Sequence, residues 1–545
     1  MSADVCFTTH AIGALPAIQA YFRRLDIAAT LDRLVPWEGD VPLGLVVEVL
    51  IANRLHNPKA LFRVGAWAQQ VGLTDFYQVD AAKLNDDCLG RALERIAAHA
   101  STIEAALVLR AIQEFDVDVS QVHRDITAVE LFGAYERPLP EGRDPGRCPQ
   151  PAYGHTKSGR KNVKQIQLEL SVVNDGGIPV AHTTLDGNSG EATTHKESLR
   201  RLHEILPRSA TRHIGDTKHD TEENLLAIVA RGGRFLCGGV FSEELQQRYL
   251  RLRGQLHAIA YWPKSQESLP AAQRDKYEAH EVEELLEGEV GGEKVRSRYR
   301  LIFIRSEGKA REEAQTRERH VAKIREEFEA IARNLNKYKL RTKAAIVSRL
   351  EKAKARYGEG SLFGYELRER GGQFSLAWHI DGKALAEWQQ LEGVFVLKTN
   401  LSRSGHPVVV VLRKYKEQSQ VERRFHHVKG PLAVAPLFLE KPERMAGLVC
   451  IVVWALLVMA LMERQVRRKL GGKPLYGLYP ENRPSPAPAG PAIVSCFEAV
   501  CLVVMRNGSH VSRHLGEFNA IQRKMLSLLG VSDEDLHIFK RRCGM

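Results

Sequence analysis

The sequence predicts a mixed α/β protein: a helical N-terminal domain, a mixed sheet flanked by helices and split by a long insertion, and a small helical C-terminal tail. Three observations predict it. Apolar residues recur at helical spacing through residues 11–107. The pattern then changes to short period-two runs separated by helical stretches, an order that builds a mixed sheet with helices on its faces. From about 241 to 405 the composition turns charged and mixed, and sheet-type chemistry resumes only at Val408. The expected divisions are 1–108, 109–240, 241–405, 406–475 and 476–545.

In the first segment, Ile18-Tyr21-Phe22-Leu25 and Leu43-Val46-Val47-Leu50-Ile51 mark apolar helix faces, and Leu84-Asn85-Asp86-Asp87 offers an N-cap. Strands follow at Phe115–Val119, in His123-Arg124-Asp125-Ile126-Thr127, at Ile166–Val172 and, after the Asp175-Gly176-Gly177 turn, at Ile178–Thr184. A helix is expected from Thr194 to Leu206, a strand at His213–Asp216, a helix from Thr221 to Ala230 and a strand at Phe235–Val240. In the insertion, Arg311–Tyr357 reads as helix, and Tyr299–Ile304, Phe374–Ile380 and Gly393–Asn400 read as strands. Pro480–Pro491 reads as a linker to the helical tail, and no internal repeat is present.

The chain has 545 residues, with 78 Lys and Arg against 66 Asp and Glu, a formal charge of +12. Such a surplus suits a polyanionic partner. Eight scattered cysteines include no C-x-x-C pair, which argues against structural zinc. The N-terminus shows no basic region before an apolar stretch, so a cytoplasmic location is expected. Met445–Met462 is an 18-residue run without a charge, about 27 Å as a helix against a hydrocarbon core of ~30 Å. A buried helix against the sheet is expected, with no membrane contact.

Three acidic positions suit chemistry. Asp125 and Asp216 fall at the ends of apolar strands, where open sheets place ligands and metals, although an Asp there also serves as a turn former. Tyr415, Gln418, Glu422 and Lys429 share one stripe of a single helix, with His426 beside them and Val421, Phe425, Val428 and Leu432 forming the apolar stripe. Carboxylates that converge need a cation to offset their repulsion, and paired Mg²⁺ ions cleave phosphodiesters in such settings.

These residues resemble a known family. Asp125-x-Thr127, Gly215-Asp216-x-Lys218 with Thr221-x-x-Asn224, and Tyr415-x2-Gln418-x3-Glu422-x6-Lys429 look like the acidic triad and Tyr-Arg-Glu-Lys signature of bacterial insertion-sequence transposases in the insertion-sequence-four superfamily. Gln418 stands where that family usually has Arg, keeping hydrogen-bond donors but no charge. Leu15-Pro16, Leu34-Val35-Pro36 and Asn53-Arg54-Leu55 are similar to the helical N-terminal domain of one branch, whose role would be DNA binding or dimerisation.

The resemblance implies a ribonuclease H-like catalytic domain and cut-and-paste DNA transposition: Asp125, Asp216 and Glu422 as catalytic and metal-holding residues, and two Mg²⁺ ions, with Mn²⁺ able to substitute. Tyr415, Gln418, Lys429, Lys157 and Arg160 would contact DNA. It also implies double-stranded DNA as partner, both terminal inverted repeats and target, and a homodimer in the active complex. Trp378 and Trp388 are candidates for holding a flipped base, or core aromatics. The alternatives are a non-catalytic DNA-binding protein, suited by Arg464-x-x-Arg467-Arg468-Lys469, and a ribonuclease H-like nuclease without strand transfer. His123-Arg124-Asp125 also resembles a kinase catalytic loop, but neither a Gly-rich loop nor Asp-Phe-Gly accompanies it.

Overall fold

Two long helices carry the core of the first of two compact units. In the computed structural model, which describes residues 5–136, 139–154, 162–189, 199–202, 204–206, 211–417, 419–432, 439–507 and 510–541, the protein is mixed α/β. The first unit comprises Met1–Phe235, Glu289–Glu293 and Lys416–Met545, and the second Leu236–Gly288 and Lys294–Tyr415.

The N-terminal helices of the first unit are α1 (Leu15–Leu25), α2 (Ile27–Leu34), α3 (Leu43–His56), α4 (Val64–Gln70), α5 (Leu73–Tyr77) and α6 (Asp86–Phe115). Asn85 caps α6, its side chain accepting from Cys88 N at 2.9 Å, as the sequence expects. Against α6 lies the 29-residue helix Pro442–Leu470. Every residue of its apolar run Met445–Met462 is buried. Its surface is covered by α1, α3, α6 and a strand of the sheet, leaving none for lipid. Close approach to α6 requires Gly447, because a Cβ there would lie 2.2 Å from the Leu93 carbonyl oxygen.

The first strands are β1 (Val5–Ala11), β2 (Gln121–Leu131), β3 (Ala152–Tyr153), β4 (Lys164–Val173), β5 (Pro179–Leu185), β6 (Arg212–Gly215) and β7 (Arg234–Gly239), with α7 (Glu222–Ala230) between the last two. β2 pairs antiparallel with β4, β4 antiparallel with β5, and β6 parallel with β2. The order in this unit is β5-β4-β2-β6.

Two expectations are corrected. Residues 115–119 are not a strand: α6 runs to Phe115, and Arg464 donates to the Phe115 and Asp116 carbonyls, both at 2.8 Å, satisfying the helix end. The C-terminal tail is not purely helical, because β14 (Cys501–Asn507) and β15 (His510–Leu515) join β1 in an antiparallel three-stranded sheet before the helices Ala520–Leu529 and Asp533–Arg541. Six of the thirteen residues of the helix expected at Thr194–Leu206, namely 194–198 and 203, lie outside the described residues.

The second unit holds α8 (Glu243–Leu252), β8 (His257–Ile259), β9 (Tyr277–Val290), β10 (Glu293–Ser306), α9 (Glu307–Arg333), α10 (Lys343–Ala355), β11 (Phe363–Arg370), β12 (Gln373–Ile380), α11 (Gly382–Leu391), β13 (Val394–Thr399) and α12 (Val408–Lys416). β13 lies between β7 and β10, antiparallel to both. The long α9 and α10 pack with the β11–β12 hairpin around Ile324, Phe328, Ile346, Leu350 and Phe363. Trp378 and Trp388 pack on this cluster, Trp378 with its ring 5.9 Å from Phe328 and 6.0 Å from Phe363.

Candidate functional site

Asp125 lies inside β2 rather than at its end, because the strand continues to Leu131. Successive side chains alternate faces, so Gln121, His123 and Asp125 share one face and Arg124 takes the other. His123 is in register with Ile214 of parallel β6, an offset of 91 residues. Asp216 follows Asp125 by the same offset and stands one residue past the end of β6.

Asp216 follows β6 and caps a short 3₁₀ turn, its Oδ1 accepting from Lys218 N at 3.0 Å and lying 3.2 Å from His219 Nδ1. Burial alone would raise its pKa, but the hydrogen bond and charge of His219, with Lys218, pull the carboxyl below its usual value. Gly215 permits this contact, since a Cβ there would meet the His219 ring at 2.3 Å. Thr221 then caps α7, accepting from Asn224 N at 3.3 Å.

The single helix expected through Tyr415, Gln418, Glu422 and Lys429 is divided. Tyr415 lies in α12, Glu417 is a turn, and a new helix α13 (Ser419–Lys429) carries Glu422 and Lys429. The turn is held where Glu417 O accepts from Gln420 N at 3.1 Å and its carboxylate accepts from Gln121 Nε2 of β2 at 3.3 Å. Gln121 shares the face of Asp125, so α13 starts over that face. The apolar stripe Val421, Phe425, Val428 and Leu432 is buried as the sequence expects, while Glu422, His426 and Lys429 are exposed. Gln418, Lys157 and Arg160 lie outside the described residues.

Sequence reasoning missed Arg424, which fixes α13. It is fully buried on the apolar face, with Nη1 3.0 Å from Glu463 Oε2 and Nε donating to Gly177 O at 2.9 Å. It also donates to Gly176 O. Pro442–Leu470 is the next helix, α14, and its Glu463 is 1% exposed. A charge in an apolar stripe is the signal that could have exposed this pair, since such charges are almost never buried unpaired.

The basic run Arg464 to Lys469 serves the fold. Arg464 and Arg468 bind the end of α6, Arg467 pairs with Glu463 at 2.5 Å, and Lys469 donates to Ser527 O at 2.8 Å. Among the described residues, no three His, Cys, Asp or Glu side chains stand close enough to share a metal ion. The carboxylates of Asp125 and Asp216 are hard oxygen donors of the kind a divalent cation takes, and that of Asp216 is held below its usual pKa. Residues 7–106 match a family model described as a domain of unknown function, DUF4277, which is commonly found in transposase-like proteins. No curated protein matches the chain.

Proposed function

We propose that the chain is a metal-dependent DNA transposase that cuts at the terminal inverted repeats of an insertion sequence and joins the freed end to target DNA. The observation that carries this reading is the parallel pairing of β2 with β6, neighbouring strands of which one contains Asp125 and the other runs into Asp216. Support comes from the order β5-β4-β2-β6, with two antiparallel pairings and then a parallel one, which agrees with a ribonuclease H-like sheet. The N-terminal match adds to it.

In this reading Asp125 and Asp216 hold the ions with Glu422 as third ligand. Two Mg²⁺ ions, or Mn²⁺, when bound ionise a water and stabilise the leaving oxygen of the cut strand. His219 keeps Asp216 charged and oriented, and Arg424 sets the height of α13 over the sheet. Tyr415, Gln418, Lys429, Lys157 and Arg160 grip phosphate oxygens, fixing the register of the DNA without reading its sequence. The active complex is a homodimer, one end of the element per site.

Asp125→Asn, Asp216→Asn and Glu422→Gln, each alone, are expected to abolish Mg²⁺-dependent cutting of DNA that carries the segments flanking the gene, while binding to that DNA persists. Gel assays of cutting and anisotropy of binding check both. Undiminished cutting by any variant removes that residue from the site. A wild-type chain that binds and never cuts is a DNA-binding protein, and one that cuts without joining ends is a nuclease.

A further inference from the structure

The basic surplus is concentrated at one place in the second unit. Residues 330–350 contain Arg333, Lys337, Lys339, Arg341, Lys343 and Arg349 and no Asp or Glu. All six are exposed at or near the tip joining α9 to α10, and among the described residues none has a carboxylate partner. By contrast α9 itself mixes seven Glu with seven Lys and Arg and carries ion pairs such as Lys309–Glu313 at 2.6 Å. A solvated helix face balances its charges in that way, and the tip does not.

The tip is also rigid. Asn336 clamps the hairpin, its Nδ2 donating to Phe374 O at 2.9 Å and its Oδ1 accepting from Phe374 N at 2.8 Å. Leu340 closes the turn, donating to Lys337 O and accepting from Asn336 N, both at 2.9 Å. Leu335 and Leu340 anchor it on the α9–α10 core. Between them Tyr338 is 80% exposed at φ +50°, a left-handed conformation that a bulky aromatic residue rarely adopts. A large ring held outward on strained backbone among unpaired cations suits contact with a ligand.

We propose that this tip is a docking surface for double-stranded DNA, with Lys337, Lys339, Arg341 and Lys343 on backbone phosphates and Tyr338 lying against the sugars between them. The choice of DNA among polyanions rests on the function proposed above. Pre-set cations release condensed counterions on binding, so their mark is a salt dependence of affinity.

The test uses the full chain and a 30-base-pair duplex of arbitrary sequence, with anisotropy read between about 50 and 200 mM salt. Replacing Lys337, Lys339, Arg341 and Lys343 together by Gln is expected to lower the slope of log K on log salt by about 3.6, at ~0.9 per phosphate contact. A control neutralises Arg33, Lys473, Arg523 and Lys524, four exposed cations of the first unit, and is expected to lower it by less than about 1. Tyr338→Ala is expected to weaken binding about fivefold or more with the slope unchanged. An equal loss of slope in tip and control variants, or a tip variant that binds as wild type, overturns the proposal. So does equal retention on polyglutamate and duplex. Failure of the catalytic reading looks different: DNA binding with the expected slopes and no cutting leaves the tip standing.

Discussion

Removing Arg424 tests how the Glu422 helix is held. Arg424→Met keeps the length of the side chain and its apolar stem but deletes the charge, leaving Glu463 buried at 1% exposure and the Gly176 and Gly177 carbonyls without their donor. Breaking a buried pair from one side costs about 3–5 kcal/mol. Glu463 retains Arg467 at 2.5 Å and Gly490 N at 3.0 Å, which puts the cost near the low end, about 3 kcal/mol. Glu463→Met removes the other charge, and the double variant leaves neither unpaired, so it should recover at least about 1.5 kcal/mol relative to the sum of the singles. Urea unfolding of the four proteins measures the cycle. Because Arg424 sits two residues from Glu422, the single variant should also slow cutting ~10²-fold or more with DNA binding intact, the scale for a displacement of about 1 Å at a reacting centre. A loss below about 1 kcal/mol with a coupling near zero would refute the argument that this pair sets α13.

Two further outcomes follow from the first unit. His182 is buried with Nδ1 2.5 Å from Glu104 Oε1 and Nε2 3.5 Å from Cys450 Sγ; burial alone would lower its pKa, but the Glu104 carboxylate and Cys450 push it up to about 10. That value lies above the ~6.5 of an unpaired histidine, so the pair stabilises fully below about pH 6.5 and its contribution is lost as pH rises toward 10. Urea midpoints at pH 6 and 9.5 should therefore fall more in wild type than in Glu104→Gln, and parallel falls would exclude the ion pair as the cause. Gly447→Ala places a Cβ 2.2 Å from the Leu93 carbonyl oxygen and should force α14 from α6 at a net cost of about 2 kcal/mol, despite the ~1 kcal/mol that Ala gains over Gly in a helix. An unchanged or raised midpoint would show that the helices can separate freely.

What the sequence made legible was local. The apolar stripe Val421-Phe425-Val428-Leu432 and the run Met445–Met462 announce buried helix faces by spacing alone, and both are buried. Glu422 could be placed on the rim of that face for the same reason. What it hid depends on residues far along the chain. Phe115-Asp116-Val117-Asp118-Val119 alternates as a strand would, yet Phe115 ends α6 because Arg464, 349 residues later, binds its carbonyl. β1 pairs with β14 across almost the whole chain, Val5 opposite Asn507, and no local pattern announces such a partner. The parallel pairing of β2 with β6 is likewise a property of two strands and invisible in either alone.

The distribution of charge separates two properties that net charge merges. A surplus of +12 invited the basic run Arg464 to Lys469 as the nucleic-acid surface, but those side chains bind helix-end carbonyls, Glu463 and Ser527. Cations already committed inside the fold release few counterions when DNA arrives, so they add little to salt-dependent affinity. The unpaired cations of residues 330–350 remain free to do so. Metal dependence should then follow substitutions at Asp125, Asp216 and Glu422, and salt dependence should follow substitutions at Lys337, Lys339, Arg341 and Lys343, each leaving the other unchanged. If neutralising Arg467 and Arg468 changed the salt slope more than neutralising Lys337 and Lys339, the structural account of the basic run would be wrong.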